Sequence, residues 1–132
     1  MNISAFAKQY ASQIDGQFTE YDHSRSIIVV PLADGRFQTV ILCTENSKRS
    51  GKQRAVLSSK VCEYPANIDF KALLEKSATF DCSKFILDEG FLKVEASCPT
   101  EGATEEEVKH MIQEVATQAD AYELKITGKD IN

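Results

Sequence analysis

At 132 residues, with 42% hydrophobic and 27% charged residues, the chain is sized and composed for one ordered domain that buries roughly two-thirds of its unfolded surface. Its formal charge of −5 excludes a general electrostatic attraction to nucleic acid or to an anionic membrane surface. No apolar run approaches the ~18 residues that cross a bilayer, and Met1 to Lys8 lacks the basic flank and continuous apolar stretch of a secretory signal, so a cytoplasmic location is expected.

Ile3, Phe6, Ala7, Tyr10 and Ile14 recur at spacings of three and four, which predicts an amphipathic helix over residues 3–14. Ser4, Lys8, Gln9 and Gln13 fall on its wet side, and Gly16 marks its end. Gln17 to Tyr21 alternates weakly as a first strand. Ser26 to Leu32 contains Ile27-Ile28-Val29-Val30, β-branched at every position, and predicts a central strand covered on both faces. Ala33-Asp34-Gly35-Arg36 supplies an Asp-Gly turn, because aspartate and glycine tolerate the positive φ of tight hairpins. Phe37 to Thr44 therefore pairs antiparallel to the strand before it. The polar stretch Glu45 to Gln53 reads as a loop, and Arg54 to Tyr64 as a fourth strand ended by Pro65.

Asn67 is suited to N-cap a helix that runs to Ser77 with Phe70, Leu73 and Leu74 on one side. Residues 84–88 and 91–98 form a second hairpin around Asp88-Glu89-Gly90. Its return strand alternates Leu92, Val94, Ala96 and Cys98 with Lys93, Glu95 and Ser97, one face dry and one wet. Past Pro99 and Gly102, Thr104-Glu105-Glu106-Glu107 is a capping box: the Thr104 hydroxyl can accept from the Glu107 N–H while the Glu107 side chain reaches back to the Thr104 N–H. The three acids also suit the positive end of the helix dipole. Val108, Met111, Ile112, Val115, Ala119 and Tyr122 then form an apolar stripe, with Lys109, Gln113, Glu114 and Gln118 facing water. The tail over residues 125–132 is expected to fray. The order α-β-β-β-β-α-β-β-α, with helices packed on an antiparallel β-sheet, makes the chain one α+β domain over residues 1–132.

Chemistry is sparse. His23 lies in a loop and His110 on the wet side of the last helix, and neither is read as having a partner at a ligand spacing such as i, i+4, so no metal site and no cofactor are expected. Cys43, Cys62, Cys82 and Cys98 include no C-x-x-C pair and read as inert buried thiols of a reducing compartment. Asp88/Glu89 sits at a hairpin tip and Glu105 to Glu107 at a helix cap, both accounted for without acid–base catalysis. Lys48, Arg49, Lys52 and Arg54 concentrate positive charge beside Gly51, but without a phosphate-loop pattern or interleaved aromatics they read as a solvated hairpin loop.

Three segments carry a resemblance. They are Asn67 to Leu74, the hairpin Phe85-Ile86-Leu87-Asp88-Glu89-Gly90-Phe91-Leu92-Lys93-Val94-Glu95-Ala96, and Pro99-Thr100-Glu101-Gly102-Ala103-Thr104-Glu105-Glu106-Glu107-Val108. Together they resemble the YbjN family of small bacterial proteins over roughly the last half of the chain, and the first half follows in element order. The resemblance implies the type III secretion chaperone-like fold, in which small acidic cytoplasmic proteins, often homodimers, bind extended segments of other proteins without catalysing a reaction.

The resulting expectation is a non-enzymatic protein-binding module, chaperone-like or regulatory, with a protein partner and no nucleic acid or membrane. Phe6, Tyr10, Ile14 and Phe18 are its candidate partner-binding residues, and a homodimer follows from the surplus of apolar stripes and from the resemblance. Two other classes stand beside it: a small-molecule-binding or enzymatic domain with a pocket between sheet and last helix, and a phosphate or nucleic-acid binder acting through the basic loop over residues 48–54.

Overall fold

The computed structural model describes residues 1–64 and 68–127. Asn2 caps the first helix, α1 (Ile3–Gln13), its side-chain oxygen accepting from the Ala5 N–H at 3.0 Å. Four strands follow: β1 (Gln17–Glu20), β2 (Arg25–Pro31), β3 (Phe37–Asn46) and β4 (Gln53–Glu63). Helix α2 (Phe70–Ser77), strands β5 (Ser83–Asp88) and β6 (Phe91–Pro99), and helix α3 (Glu105–Thr127) complete the order read from the sequence. All pairings are antiparallel, in one six-stranded sheet of order β1-β2-β3-β4-β6-β5. The fold is α+β, an antiparallel sheet with helices packed on it, as expected.

Both hairpin turns form where left-handed backbone was available. Asp34 and Gly35 have φ of 61° and 74°, and Glu89 and Gly90 have 52° and 80°. Gly16 has a different reason to be glycine: a Cβ there would collide with the Val29 carbonyl oxygen, because the turn out of α1 brings β1 tightly against β2. Thr104 caps α3 by accepting from the Glu107 N–H at 3.1 Å. Among the described residues the return bond from Glu107 does not form, and its carboxylate lies near the Cys98 thiol.

The helices define one covered face of the sheet. α1 packs on β1 and β2, and α3 crosses β3, β4 and β6. Between them lie Ile28, Val30, Val40, Leu42, Leu57, Val94, Ile112 and Val115, each at most 2% exposed, so the space beneath α3 is filled with side chains. Tyr10 ties the two helices together by accepting from the Gln113 amide at 2.8 Å. Arg36 at the first hairpin reaches Asp120 of α3 at 3.0 Å, which accounts for a carboxylate buried in the apolar stripe. Gln38 is also fully buried, donating to Ser59 Oγ and to the Lys60 carbonyl, both at 3.0 Å.

Four expectations change. Among the described residues β2 is covered on one face only, since its burial alternates and Ile27 and Val29 point away from the helices. A β-branched run records strand propensity and cannot say how many layers cover the strand. The N-cap of α2 is Asp69, accepting from the Ala72 N–H at 3.0 Å; Pro65 and Asn67 lie outside the described residues. On α2 only Leu73 is buried, while Phe70 is 37% and Leu74 68% exposed, because this short helix lies beside the edge strand β5 rather than over the sheet. Finally, α3 continues through Thr127, past the expected start of the frayed tail at Lys125; residues 128–132 lie outside the described residues.

Candidate protein-binding surface

The face of the sheet opposite the helices is uncovered by any element among the described residues. Its residues are the odd members of β2 and β3 and the even members of β4 as far as Lys60, past which a register shift turns Cys62 to the covered side. Ile27 pairs with Ile41, Ile41 with Ser58, Val29 with Thr39, and Cys43 with Val56. Five of these side chains are apolar or thiol, each half-buried only by its own neighbours in the sheet. Farther along, the same face becomes largely charged: Lys60, Lys93, Glu95, Lys84 and Asp88 occupy the corresponding positions of β4, β6 and β5, with Ile86 and Phe91 among them. Lys60 there lies over the Phe91 ring at 4.1 Å, and Lys93 pairs with Asp88 at 2.8 Å. The open face is thus apolar on the β2–β3 side and charged on the β5 side.

The two sheet edges also differ. At β5 the Phe85 N–H donates to Ser77 Oγ of α2 at 2.8 Å, so that edge is partly occupied from within the chain. Among the described residues β1 carries no such cover, and a groove of about 290 Å³ opens at its start between Gly16, Gln17, Val29, Pro31 and the half-exposed Phe37. Asp22 organises the turn into β2, accepting from the Ser24 N–H at 2.9 Å, the Ser24 hydroxyl at 3.0 Å and the Arg25 N–H at 2.8 Å. The Ser24 N–H, followed by the Ser24 hydroxyl and Arg25, holds the Asp22 carboxyl down at about 2. An unpaired edge beside an apolar groove is the arrangement that accepts an added strand.

The candidate residues of helix 1 and β1 lie on the other side. Phe6 and Tyr10 are 6% and 7% exposed and stack on each other in the core, with Ile14 and Phe18 packed against it. Helix periodicity identified the stripe, and the sheet is what it covers. In the basic segment, Lys48, Arg49 and Lys52 are exposed, whereas Arg54 belongs to β4 and pairs across the hairpin with Glu45 at 2.7 Å. The patch is therefore reduced to three cations on a turn that Ser47 Oγ organises by accepting from the Arg49 and Ser50 N–H groups. At the far side of the molecule, Tyr64 packs on Phe70 at 5.6 Å between ring centroids, and Leu74 extends that exposed apolar surface along α2.

One cluster was missed in the sequence. Glu114, expected to face water, turns inward: its side chain is 9% exposed and accepts from the Asp81 N–H at 2.8 Å, the Cys82 N–H at 3.0 Å and the Cys82 thiol at 2.7 Å. His110 Nε2 is 3.1 Å from Asp81 and 3.7 Å from Glu114. The available signal was His110 and Glu114 at i, i+4 on one helix, a spacing that puts both on the same side. Burial opposes ionisation of Glu114, but the Cys82 thiol and the two N–H groups outweigh it and hold the carboxylate below its ordinary range. Ser83 Oγ lies near that carboxylate without a hydrogen bond of good geometry. Burial first, and then Glu114, pushes the Cys82 thiol up to about 12. Burial likewise raises Cys43, Cys62 and Cys98, so none of the four free thiols is an activated nucleophile.

No family model matches the chain, so the resemblance to the YbjN family rests on the residues quoted above. No curated protein matches it by sequence. Solved structures do match. The chain is similar to one in the HopA1–SchA chaperone–effector complex, with a TM-score of 0.60 and 16% identity over 90% of this chain and 91% of that one. It is also similar to a chain of the ExsC–ExsE complex, with a TM-score of 0.52 and 13% identity over 92% and 90%. At such identities the likeness is one of fold. Among the described residues no helix is long and apolar enough to cross a membrane.

Proposed function

We propose that the protein is a non-enzymatic, chaperone-like binding module that holds an extended, apolar-rich segment of another protein, and that it works as a homodimer. The observation that carries this reading is the uncovered half-sheet: Ile27, Val29, Ile41, Cys43 and Val56 form an apolar surface that ends at the open β1 edge. A partner segment pairing with β1 would supply backbone hydrogen bonds, and every second side chain would turn toward the groove beside Val29, Pro31 and Phe37. That mode of binding requires no reacting group, in keeping with the raised thiols. The fold shared with a chain of a chaperone–effector complex supports the same class of work. Four unpaired cysteines fit a reducing cytoplasm. For the dimer, the support is Tyr64, Phe70 and Leu74, an exposed apolar group separate from the proposed client surface.

Gentle co-purification from native cells, followed by mass spectrometry, tests the reading. A partner at near-stoichiometric level should accompany the wild type, be lost with Ile41→Glu on the apolar half of the open face, and be retained with Lys84→Glu on the charged half. Recovery of no partner, or equal recovery with both variants, would count against this surface.

A further inference from the structure

Thiol, imidazole and carboxylate meet at a place remote from the open face, where α3 adjoins the segment leading into β5. His110 and Glu114 stand one turn apart on α3, and Cys82 approaches them from just before β5. One ligand atom of each lies within 4.8 Å of the other two. Cys82 Sγ and His110 Nε2 both face the same oxygen, Glu114 Oε2, at 2.7 and 3.7 Å. The Asp81 and Cys82 N–H groups fix that carboxylate in orientation, which is the support that outer-shell donors give to a metal-binding carboxylate. Capping the loop accounts for these two backbone bonds, but not for the convergence of sulfur and imidazole nitrogen on one oxygen.

We propose that Cys82, His110 and Glu114 bind a zinc ion, with Asp81 or water in the fourth position. Zinc–ligand bonds of about 2.0–2.3 Å in a tetrahedron place donor atoms about 3–4 Å apart, so closing this set needs only small side-chain rotations. Asp81, 76% exposed and 3.1 Å from His110 Nε2, is within reach of the remaining position. Sulfur and imidazole select zinc over the hard cations magnesium and calcium, which take oxygen ligands. The ion has a way in, since a groove of about 490 Å³ lined by Lys76, Phe80, Asp81 and Gln113 opens onto His110 and Glu114. On binding, the Cys82 thiol gives its proton to solvent as the sulfur–zinc bond forms, and Glu114 exchanges the thiol hydrogen bond for a bond to the metal. The ion would then fasten α3 to the connection between α2 and β5. This site is independent of the protein-binding reading.

Cobalt(II) titration of the reduced, full-length chain is the direct probe. One equivalent should produce sulfur-to-cobalt charge-transfer absorption and the visible bands of a four-coordinate site, all erased by zinc and all absent from Cys82→Ser. His110→Ala, at a side chain 53% exposed, keeps the fold and should weaken zinc binding by about 100-fold or more, beyond the ~10–100-fold that outer-shell changes cost. The proposal is overturned by a wild-type cobalt spectrum lacking the sulfur band, or by a folded His110→Ala chain that holds zinc as tightly as the wild type. If Cys82→Ser does not fold, the melting temperature decides: zinc should raise it in the wild type and leave it unmoved in His110→Ala.

Discussion

Leu57 and Val56 are consecutive residues of one strand, yet they meet different surroundings. Leu57 is fully buried beneath α3, and Val56 lies half-buried on the open face beside Cys43. The same contrast separates Ile28 from Ile27 and Leu42 from Ile41. The covered side is a core with a buried carboxylate paired across the fold, Asp120 with Arg36. The open side is an apolar half-sheet that, among the described residues, is covered by nothing but the side chains of adjacent strands. Similar residue types therefore do different work: the first set holds the helices to the sheet, and the second remains free to meet another chain. An apolar surface that contributes little to the fold of its own chain is the one best placed to bind a partner.

The largest test of this contrast is a pair of substitutions. Leu57→Ala should cost about 2–5 kcal/mol in urea unfolding, because it leaves a cavity under α3. Val56→Ala should cost less than about 1 kcal/mol, since the lost methyls faced a half-solvated surface. Equal losses would mean that the outer face is as tightly packed as the inner one. A second variant disturbs the contrast at its edge. Gly16→Ala drives a Cβ into the Val29 carbonyl oxygen and should cost about 1–3 kcal/mol, and hydrogen exchange should show β1 opening before β3 and β4. The smallest effect on stability is expected at α2. Leu74→Glu, at a side chain 68% exposed, should change monomer stability by no more than about 0.5 kcal/mol. Light scattering should nevertheless move from a dimer to the 14.7 kDa monomer if Leu74 belongs to the subunit interface. A wild type that already scatters as a monomer at micromolar concentration defeats the dimer.

Much of the architecture was readable because its signals are local. The Thr104 cap forms its forward bond, the turns at Asp34-Gly35 and Glu89-Gly90 adopt the left-handed backbone their residues permit, and Leu92, Val94, Ala96 and Cys98 all lie on the covered face. The candidate surface was less readable. Phe6 and Tyr10 stood out as an amphipathic stripe, but periodicity reports that a stripe exists and not what lies against it; here the sheet does. The run Ile27-Ile28-Val29-Val30 concealed the open face, because four β-branched residues obscure the alternation that marks a half-covered strand. Glu114 escaped notice because a carboxylate grouped with Lys109, Gln113 and Gln118 on a helix reads as solvated, and its donors lie 32 and 33 residues earlier in the chain.

By itself the sequence determined the element order, both tight turns and the start of the last helix, since each depends on residues within a few positions of one another. Only the tertiary structure decided that, among the described residues, the helices cover a single face, that β1 keeps its edge open while β5 does not, and that Cys82, His110 and Glu114 converge. These are consequences of how distant segments pack, and no local propensity records them.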